Sequence, residues 1–323
     1  MSKQQIADIS AGSRVEGRYL VARKELRQGG RSGQFLDLTL CDSTGRITAR
    51  VWENAAAVAE QFSQGDVVQV SGSAETFRDE LQLRIEDLRT LPPSEADPTE
   101  FLPRTKKDVP SLEKRLAEAV KSVHNEHLRE LLLRLFRDQD FRGQFVSAPG
   151  AKALHHAYVG GLLEHTVEVV ELCEKTAEVF PQLDRDLLIA AAIVHDIGKI
   201  DELSWGTAFD YTDQGNLIGH LVLGERRVRQ LGDQIEGFPE QLKLLLSHMI
   251  LSHHGAAEFG SPKMPMTAEA IALHHAEDLD AKVNMFLGQI ETARGQGRRW
   301  TERHFLLNRA LYVGPSEAEE GEA

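Results

Sequence analysis

Thirteen histidines occur in the 323-residue chain, and all but His124 and His127 lie from His155 onward. The sharpest local signal is His195-Asp196, which closes the apolar run LLIAAAIVHDIGK. Adjacent helical residues diverge by about a hundred degrees, so both reach one ion only where it sits between them at the helix end. Upstream lies His165 in GGLLEHT. Downstream come His220 in IGHL, His253-His254 in LSHHG, and the carboxylates of HHAEDLDAK. Neutral imidazole and carboxylate are ligands for intermediate divalent metals such as Mn, Fe or Zn. Five or six of them converging inside a helical bundle suit two neighbouring metals. Such a pair clamps the attacking and leaving oxygens of a phosphoryl displacement and lowers the pKa of a bridging water. Any one of these histidines, taken singly, is equally well a capped or exposed residue; the ordered set points to metal.

These residues need elements to position them, and the chain changes character along its length. From about residue 14 to 90, LDLTL, RITARVW, DVVQVSGSAE and LQLRI alternate apolar and polar residues with period two. Asp42-Ser43-Thr44-Gly45 reads as a hairpin turn, and Glu53–Phe62 as a short helix between the third and fourth strands. Five short strands with one helix in that place predict a small closed barrel of the oligonucleotide-binding (OB) type over residues 1–91. Residues 92–110 hold five of the eleven prolines and read as a semi-rigid linker. After it the period becomes helical. Leu112 to Phe136, Leu162–Phe180, Leu187–Ile197, Leu217–Leu231, Leu242–Leu251, Ala268–Leu287 and Thr301–Leu311 all carry it, and strand signals are absent. The expected architecture is multidomain: a small all-β barrel followed by an all-α helical bundle over 111–313. The acidic stretch 314–323 has no core-forming residues and is expected to be disordered.

Composition narrows the classes. The chain is 41% hydrophobic and 27% charged with a mean hydropathy of −0.33, which is soluble and globular. Its longest apolar run, Leu187 to Val194, falls far short of the roughly 20 residues of a membrane span. The first residues, MSKQQIADIS, show no secretory signal. Two cysteines, Cys41 and Cys173, make neither a disulfide framework nor a thiolate zinc site. A cytoplasmic location without a membrane partner is expected. The net charge of −13 argues against a generally basic nucleic-acid coat but leaves room for a local basic groove.

Such a groove is offered by the barrel. Leu36, Leu38 and Leu40 share one strand face, which puts Phe35, Asp37 and Thr39 on the other; Ile47, Ala49 and Val51 likewise leave Thr48, Arg50 and Trp52 opposite. Phe35, Arg50 and Trp52 are the residue types that grip single strands, because bases stack on rings and guanidinium groups follow phosphates. Arg23, Lys24, Arg27 and Arg31 would add a basic rim. The alternative is that Trp52 closes the barrel's end and Phe35 packs on the helical domain.

The succession LHHAYVGGLLEHT, IVHDIGK, GHL, ILSHHG and LHHAEDLDAK follows the H…HD…H…H…D pattern of the HD-domain metal-dependent phosphohydrolases. Preceded by the barrel stretch YLVARKELRQGGRSGQFLDLTLCDSTGRITARVWE, it resembles the YhaM-type 3′→5′ exoribonucleases over about residues 14 to 313. The resemblance implies metal ligands at His165, His195, Asp196, His220 and His253 plus a final carboxylate, with Asp196 bridging two metals. His254 is either a further ligand or faces the substrate. Where the pattern places an aspartate this chain has Glu277, and Asp280, one turn later on the same face, is the substitute. Lys199 resembles the family's phosphate-contacting lysine; His155 and His156, before a Gly-Gly pair, either contact a phosphate or the leaving oxygen or form a structural pair at a helix N-terminus. His248, His274 and His275 receive no role. The expected cofactors are two divalent ions, Mn²⁺ first, with Fe, Zn, Co or Mg as alternatives. The expected partner is single-stranded RNA, with single-stranded DNA as a further substrate and homo-oligomerisation left open. The other readings are a phosphohydrolase of nucleotides or cyclic dinucleotides, and a nucleic-acid-binding adaptor with an inactive site. The first is weakened because Gly255-Ala256, not a tyrosine-proline motif, follows His254; the second, because the ligand set is intact.

Overall fold

The computed structural model describes residues 4–29, 33–77, 80–92, 94–96, 98–152, 156–206, 208–303 and 308–315. Two compact units divide the chain: Met1–Arg104 with Ser204–Asp210, and Thr105–Leu203 with Tyr211–Ala323.

The first unit is built from β1 (Arg14–Gly29), β2 (Gly33–Asp42), β3 (Gly45–Val51), the short helix α1 (Ala55–Ala59), β4 (Val67–Phe77) and β5 (Glu80–Thr90). The strands close into a barrel in the order β1-β2-β3-β5-β4, with β3 and β5 parallel and the other pairs antiparallel. This is the predicted OB-type barrel. β1 serves two neighbours: Arg14–Leu20 pairs with β4 and Leu20–Gly29 with β2, the register shifting between Val21 and Arg23. A bulge there bends the long strand and lets the sheet close on itself. Leu36, Leu38, Leu40, Ile47, Ala49 and Val51 fill the interior with Tyr19, Val68, Val70, Leu83 and Ile85. The hairpin at Asp42 holds because its Oδ1 accepts from the N–H groups of Thr44 (2.8 Å) and Gly45 (3.2 Å).

The second unit is helical: α2 (Val109–Ser122), α3 (Glu126–Arg137), α4 (Gln139–Ser147), α5 (Gly161–Val179), α6 (Arg185–Val194), α7 (Lys199–Glu202), α8 (Asp213–Leu217), α9 (His220–Asp233), α10 (Glu240–Ser252) and α11 (Ala268–Gly295). Local chemistry starts many of them. Asp108, Asn125, Asp138, Asp184, Thr212 and Thr267 each cap a helix by accepting from a backbone N–H of its first turn. Leu187 to Val194 of α6 are all buried, the condition of a helix that is apolar all round and runs through the core. His195 and Asp196 therefore lie at the end of a helix buried on every side.

Three expectations fail. Thr301–Leu311 is not a helix among its described residues. Instead, Thr301 N–H donates to the Leu311 carbonyl (3.0 Å) beside an antiparallel bridge between Trp300 and Tyr312. Strand structure is not absent beyond the linker either, since β6 (Leu203–Ser204) and β7 (Asp210–Tyr211) form a two-stranded ribbon. The single helix expected over Leu217–Leu231 is α8 and α9, parted at Gly219, whose φ of +83° no helical residue adopts. Within 92–110, Pro98–Phe101 is a 3₁₀ turn, and Phe101 and Leu102 are buried.

Candidate metal centre

The last carbonyls of a helix lack intrahelical donors. At the ends of α6 and α10 a histidine supplies one: His195 Nδ1–H donates to the Ala192 carbonyl (2.8 Å) and His253 Nδ1–H to that of Ile250 (2.9 Å). A carbonyl can only accept, so a proton is fixed on Nδ1, and in the neutral ring Nε2 is turned away as a lone pair. His254 does the same through the Phe259 carbonyl (2.8 Å). The other two rings are held by carboxylates. His220, first residue of α9, donates through both its backbone N–H (3.0 Å) and Nδ1 (2.9 Å) to Glu202 Oε1. His165 in α5 donates through Nδ1 to Asp280 Oδ2 in α11 (2.6 Å).

The two oxygens of the buried Asp196 carboxylate divide these rings between them. Oδ2 lies 3.4 Å from His195 Nε2 and 3.5 Å from His165 Nε2; Oδ1 lies 3.5 Å from His253 Nε2 and 3.6 Å from His220 Nε2. Ligand atoms of Asp196, His220, His253 and His254 lie within 4.8 Å of one another, and so do those of His165, His195 and Asp196. Asp196 belongs to both sets.

The residues fit divalent cations. Asp196 Oδ1 and the Nε2 atoms of His220 and His253 are buried without a hydrogen-bond partner, a condition native proteins avoid unless an ion or water supplies one. The Nε2 atoms of His165 and His195 face each other at 3.2 Å; with both rings neutral and protonated on Nδ1, two lone pairs oppose unless a cation, or the proton that Asp196 favours on His195, stands between them. Imidazole nitrogens with a bridging carboxylate are the donor set of borderline metals. A carboxylate or carbonyl behind each imidazole is what ordinarily fixes a metal-ligating histidine.

The electrostatics are those of a buried charged site. Burial opposes charge on Asp196, but the Lys199 ammonium 2.5 Å from Oδ2 and then His195 override it and hold the carboxyl well below its usual range. Burial also opposes charge on Lys199 and His195, and Asp196 raises both. Burial pulls His165 down to about 3 and His254 to about 4, and lowers His253 well below its usual value. Glu277 is pushed up to about 7, by burial and then by the charge of Asp196.

The structure thus brings together His165, His195, Asp196, Lys199, His220, His253 and His254. Glu277 interacts electrostatically with Asp196, His195 and Lys199 but belongs to neither ligand set. Asp280 turns to the imidazoles, accepting from His165 and from His156 Nε2 (3.0 Å) while Asn284 donates to its Oδ1 (3.0 Å). The other nitrogen of the buried His156 meets Tyr158 Oη at 2.9 Å, so both ring nitrogens are engaged within the fold. His155 lies outside the described residues. Sequence reasoning missed Glu202, and it missed the group that the buried Glu164 forms with the half-buried Glu168 and Thr105 and the exposed Lys107. The Lys107 ammonium pairs with Glu164 (3.2 Å) and Glu168, and the Thr105 hydroxyl donates to Glu164. No local signal marks any of them.

On the barrel, Phe35 and Trp52 stack on each other with centroids 4.8 Å apart. Arg50 lies 5.8 Å from the Phe35 ring centre and 5.3 Å from that of Phe77. Lys24 leaves the expected rim: its ammonium donates to the carbonyls of Ala59 (2.6 Å) and Phe62 at the end of α1. Arg31 lies outside the described residues.

Residues 162–282 match the model of the HD domain family, and residues 14–91 match that of the OB-fold nucleic acid binding domain. The chain joins an OB-fold domain to an HD domain. HD domains are metal-dependent hydrolases, and the two histidine sets lie inside the matched segment. Among solved structures, the second OB-fold domain of replication protein A from Methanococcus maripaludis is similar at 20% identity over 28% of this chain and 95% of that one (TM-score 0.24). A mitochondrial single-stranded DNA binding protein from S. cerevisiae is similar at 14% identity over 25% of this chain and 97% of that one (TM-score 0.22). A replication protein A heterotrimer bound to ssDNA is similar at 16% over 29% and 69% (TM-score 0.22). At this level of similarity they bear on neither substrate nor partner. No helix among the described residues is long and apolar enough to cross a membrane.

Proposed function

We propose that this OB–HD chain is a cytoplasmic 3′→5′ exoribonuclease, hydrolysing phosphodiester bonds from the 3′ end of single-stranded RNA, as its YhaM-type resemblance implies. The observation that carries the reading is the division of the Asp196 carboxylate between two sets of imidazoles in a chain that also has an OB-fold domain. Asp196, His165 and His195 would hold one cation, with Glu277 as the last carboxylate; Asp196, His220, His253 and His254 would hold the other. When bound, two divalent cations, Mn²⁺ first, supply a water of lowered pKa and positive charge against the phosphoryl oxygens. Lys199 keeps Asp196 ionised and offers its ammonium to the charge that builds on the transferring group. Asp280, Glu202 and the three carbonyls hold the rings with Nε2 forward, so the ligands need no reorganisation when cations bind. The OB barrel holds the strand upstream of its 3′ end.

The test is incubation with Mn²⁺ and a 5′-labelled single-stranded RNA. The label should pass to progressively shorter products, and Asp196→Asn should slow this by more than about a hundredfold, beyond what the loss of an outer support costs, while melting as a folded protein. An uncut strand, or one cut internally, overturns the reading. Hydrolysis of a nucleotide or cyclic dinucleotide with RNA left intact would put the phosphohydrolase alternative in its place.

A further inference from the structure

Asp37 is out of keeping with its position. Strand alternation turns Leu36 and Leu38 into the barrel interior and Asp37 outward with Phe35, where a carboxylate belongs in water. Its side chain is nevertheless only 4% exposed, because three arginines close over it. Arg23 Nη2 lies 3.1 Å and Arg27 Nη1 3.2 Å from Oδ2, and Arg50 Nε lies 3.5 Å from Oδ1. Arg23 and Arg27 come from β1 and Arg50 from β3, the strands on either side of β2. Glu25, directly across from Asp37 on β1, shares two of the three: it pairs with Arg23 (3.3 Å) and Arg27 (2.6 Å). Three guanidinium groups against two carboxylates leave one net positive charge; Arg84, aligned with Arg50 on β5, shares this side of the sheet with Glu75, which offsets it. The same face carries the Phe35–Trp52 stack, with Arg50 reaching both Phe35 and Phe77.

A guanidinium has five N–H donors in a rigid fork, and contact with Asp37 uses only part of each fork. Left to themselves, three like charges on long side chains would spread apart and sample many rotamers. We propose that Asp37 is the positioning residue of a strand-binding face on the barrel: it gathers Arg23, Arg27 and Arg50 into one fixed fan that takes the sugar-phosphate backbone of a single strand beside the Phe35–Trp52 stack. This rests on the reading that the barrel holds single-stranded nucleic acid, and it makes a prediction of unusual sign. A point-charge view has a carboxylate on a polyanion-binding face weakening the complex, so its removal would tighten binding. In the fan, the carboxylate supplies the order that binding would otherwise have to impose on each arginine, and its removal loosens the complex.

The full chain is titrated with a 5′-fluorescein oligo(U) bearing nonhydrolysable linkages, read by anisotropy over a series of salt concentrations. Phe35→Ala and Arg50→Gln report whether the barrel binds the strand at all. Asp37→Asn should weaken binding by about tenfold, the scale of immobilising two or three long side chains. It should also flatten the salt dependence by about 0.7 in log–log slope for each phosphate the arginines no longer neutralise. A merely structural Asp37 would lower the melting temperature and leave the slope of the folded protein unchanged. Where Asp37→Asn does not fold, the double variant Arg23→Gln/Arg27→Gln takes its place, with the same loss expected. If Phe35→Ala and Arg50→Gln weaken binding while Asp37→Asn, or the double variant in its place, binds as the parent or tighter, the fan is overturned and the barrel grip stands. If Phe35→Ala and Arg50→Gln bind as the parent does, the barrel grip itself fails and the fan with it.

Discussion

At the scale of single residues, His165, His195, His220, His253 and His254 share one device: Nδ1 is tied to an oxygen and Nε2 is sent to Asp196 or beside it. Glu277 and Asp280, three residues apart, divide their labour. Asp280 is committed to His165, His156 and Asn284, whereas Glu277 is the carboxylate raised by burial and by Asp196. Glu277→Gln should therefore reduce metal stoichiometry, while Asp280→Asn should keep two ions per chain at an affinity lowered about 10- to 100-fold. Calorimetric titration with Mn²⁺ separates them, and a loss confined to Asp280→Asn would reverse the assignment. The buried imidazoles also set an acid limit. His165 and His254 titrate at about 3 and 4 in the fold against an ordinary 6.5, and His253 also lies well below it. A depressed pKa means the unfolded chain binds more protons, so their contribution is full above pH 6.5 and is lost as pH falls toward 4. His195, raised by Asp196 against burial, acts in the opposite sense, and so do the raised carboxyls of Glu277 and Glu168, which offset part of this loss. Melting curves of the metal-free protein should shift to lower temperature between pH 6.5 and 4; a flat profile would contradict this.

At the scale of elements, the site depends on helix ends meeting at close range. Gly198, just beyond His195-Asp196, sits where an added Cβ would fall 2.0 Å from the His220 carbonyl oxygen and 2.6 Å from Gly224 N. Both are backbone atoms of α9, so no side-chain rotation relieves the clash. Gly198→Ala should push the start of α9 away, with two consequences. Stability should fall by about 1–3 kcal/mol, the usual cost of overpacking. Metal affinity should fall as well, because His220 is the first residue of the displaced helix. Thermal unfolding and Mn²⁺ titration check both, and an unchanged affinity would show that α9 yields without carrying His220 with it.

At the scale of the whole chain, the face proposed to grip the strand and the candidate metal ligands lie in different compact units. The helical unit begins at Thr105, six residues before Ser111, and the difference has consequences. Thr105 and Lys107 are the partners of Glu164, which is buried in α5 one residue from His165. A fragment beginning at Thr105 should keep its metal ions and cleave a dinucleotide with kcat little changed. On long RNA its KM should rise by about tenfold or more, since each stacked base contributes roughly 1–3 kcal/mol. A fragment beginning at Ser111 strips the buried Glu164 carboxylate of the Lys107 ammonium and of the Thr105 hydroxyl, and should be less stable by roughly 1–3 kcal/mol. Equal melting temperatures for the two fragments would remove the role given to Lys107. Equal KM values for the Thr105 fragment and the full chain on long RNA would remove the barrel from substrate binding.

Much of this was legible without coordinates, and the boundary follows the range of the forces involved. Strand alternation and the Asp42 turn are local, and they yielded the five strands with a helix between the third and fourth. Helix periodicity yielded most helices of the second unit, many begun by a side-chain cap within three residues of the N–H it accepts. The order of His165, His195-Asp196, His220 and His253-His254, each in or at the end of a separate helix, was equally local. Thr301–Leu311 misled because its apolar spacing is helical while its backbone N–H and C=O groups pair across a bridge. Lys24 misled because a basic side chain beside a strand carries no sign that a helix end will take it up. The supports of the metal centre were illegible for the same reason. Glu202 lies 18 residues before His220, and Asp280 115 residues after His165. A hydrogen bond across that distance is decided by how helices pack, so the sequence determined which residues could bind metal, and only the tertiary structure decided which nitrogen each presents and what holds it there.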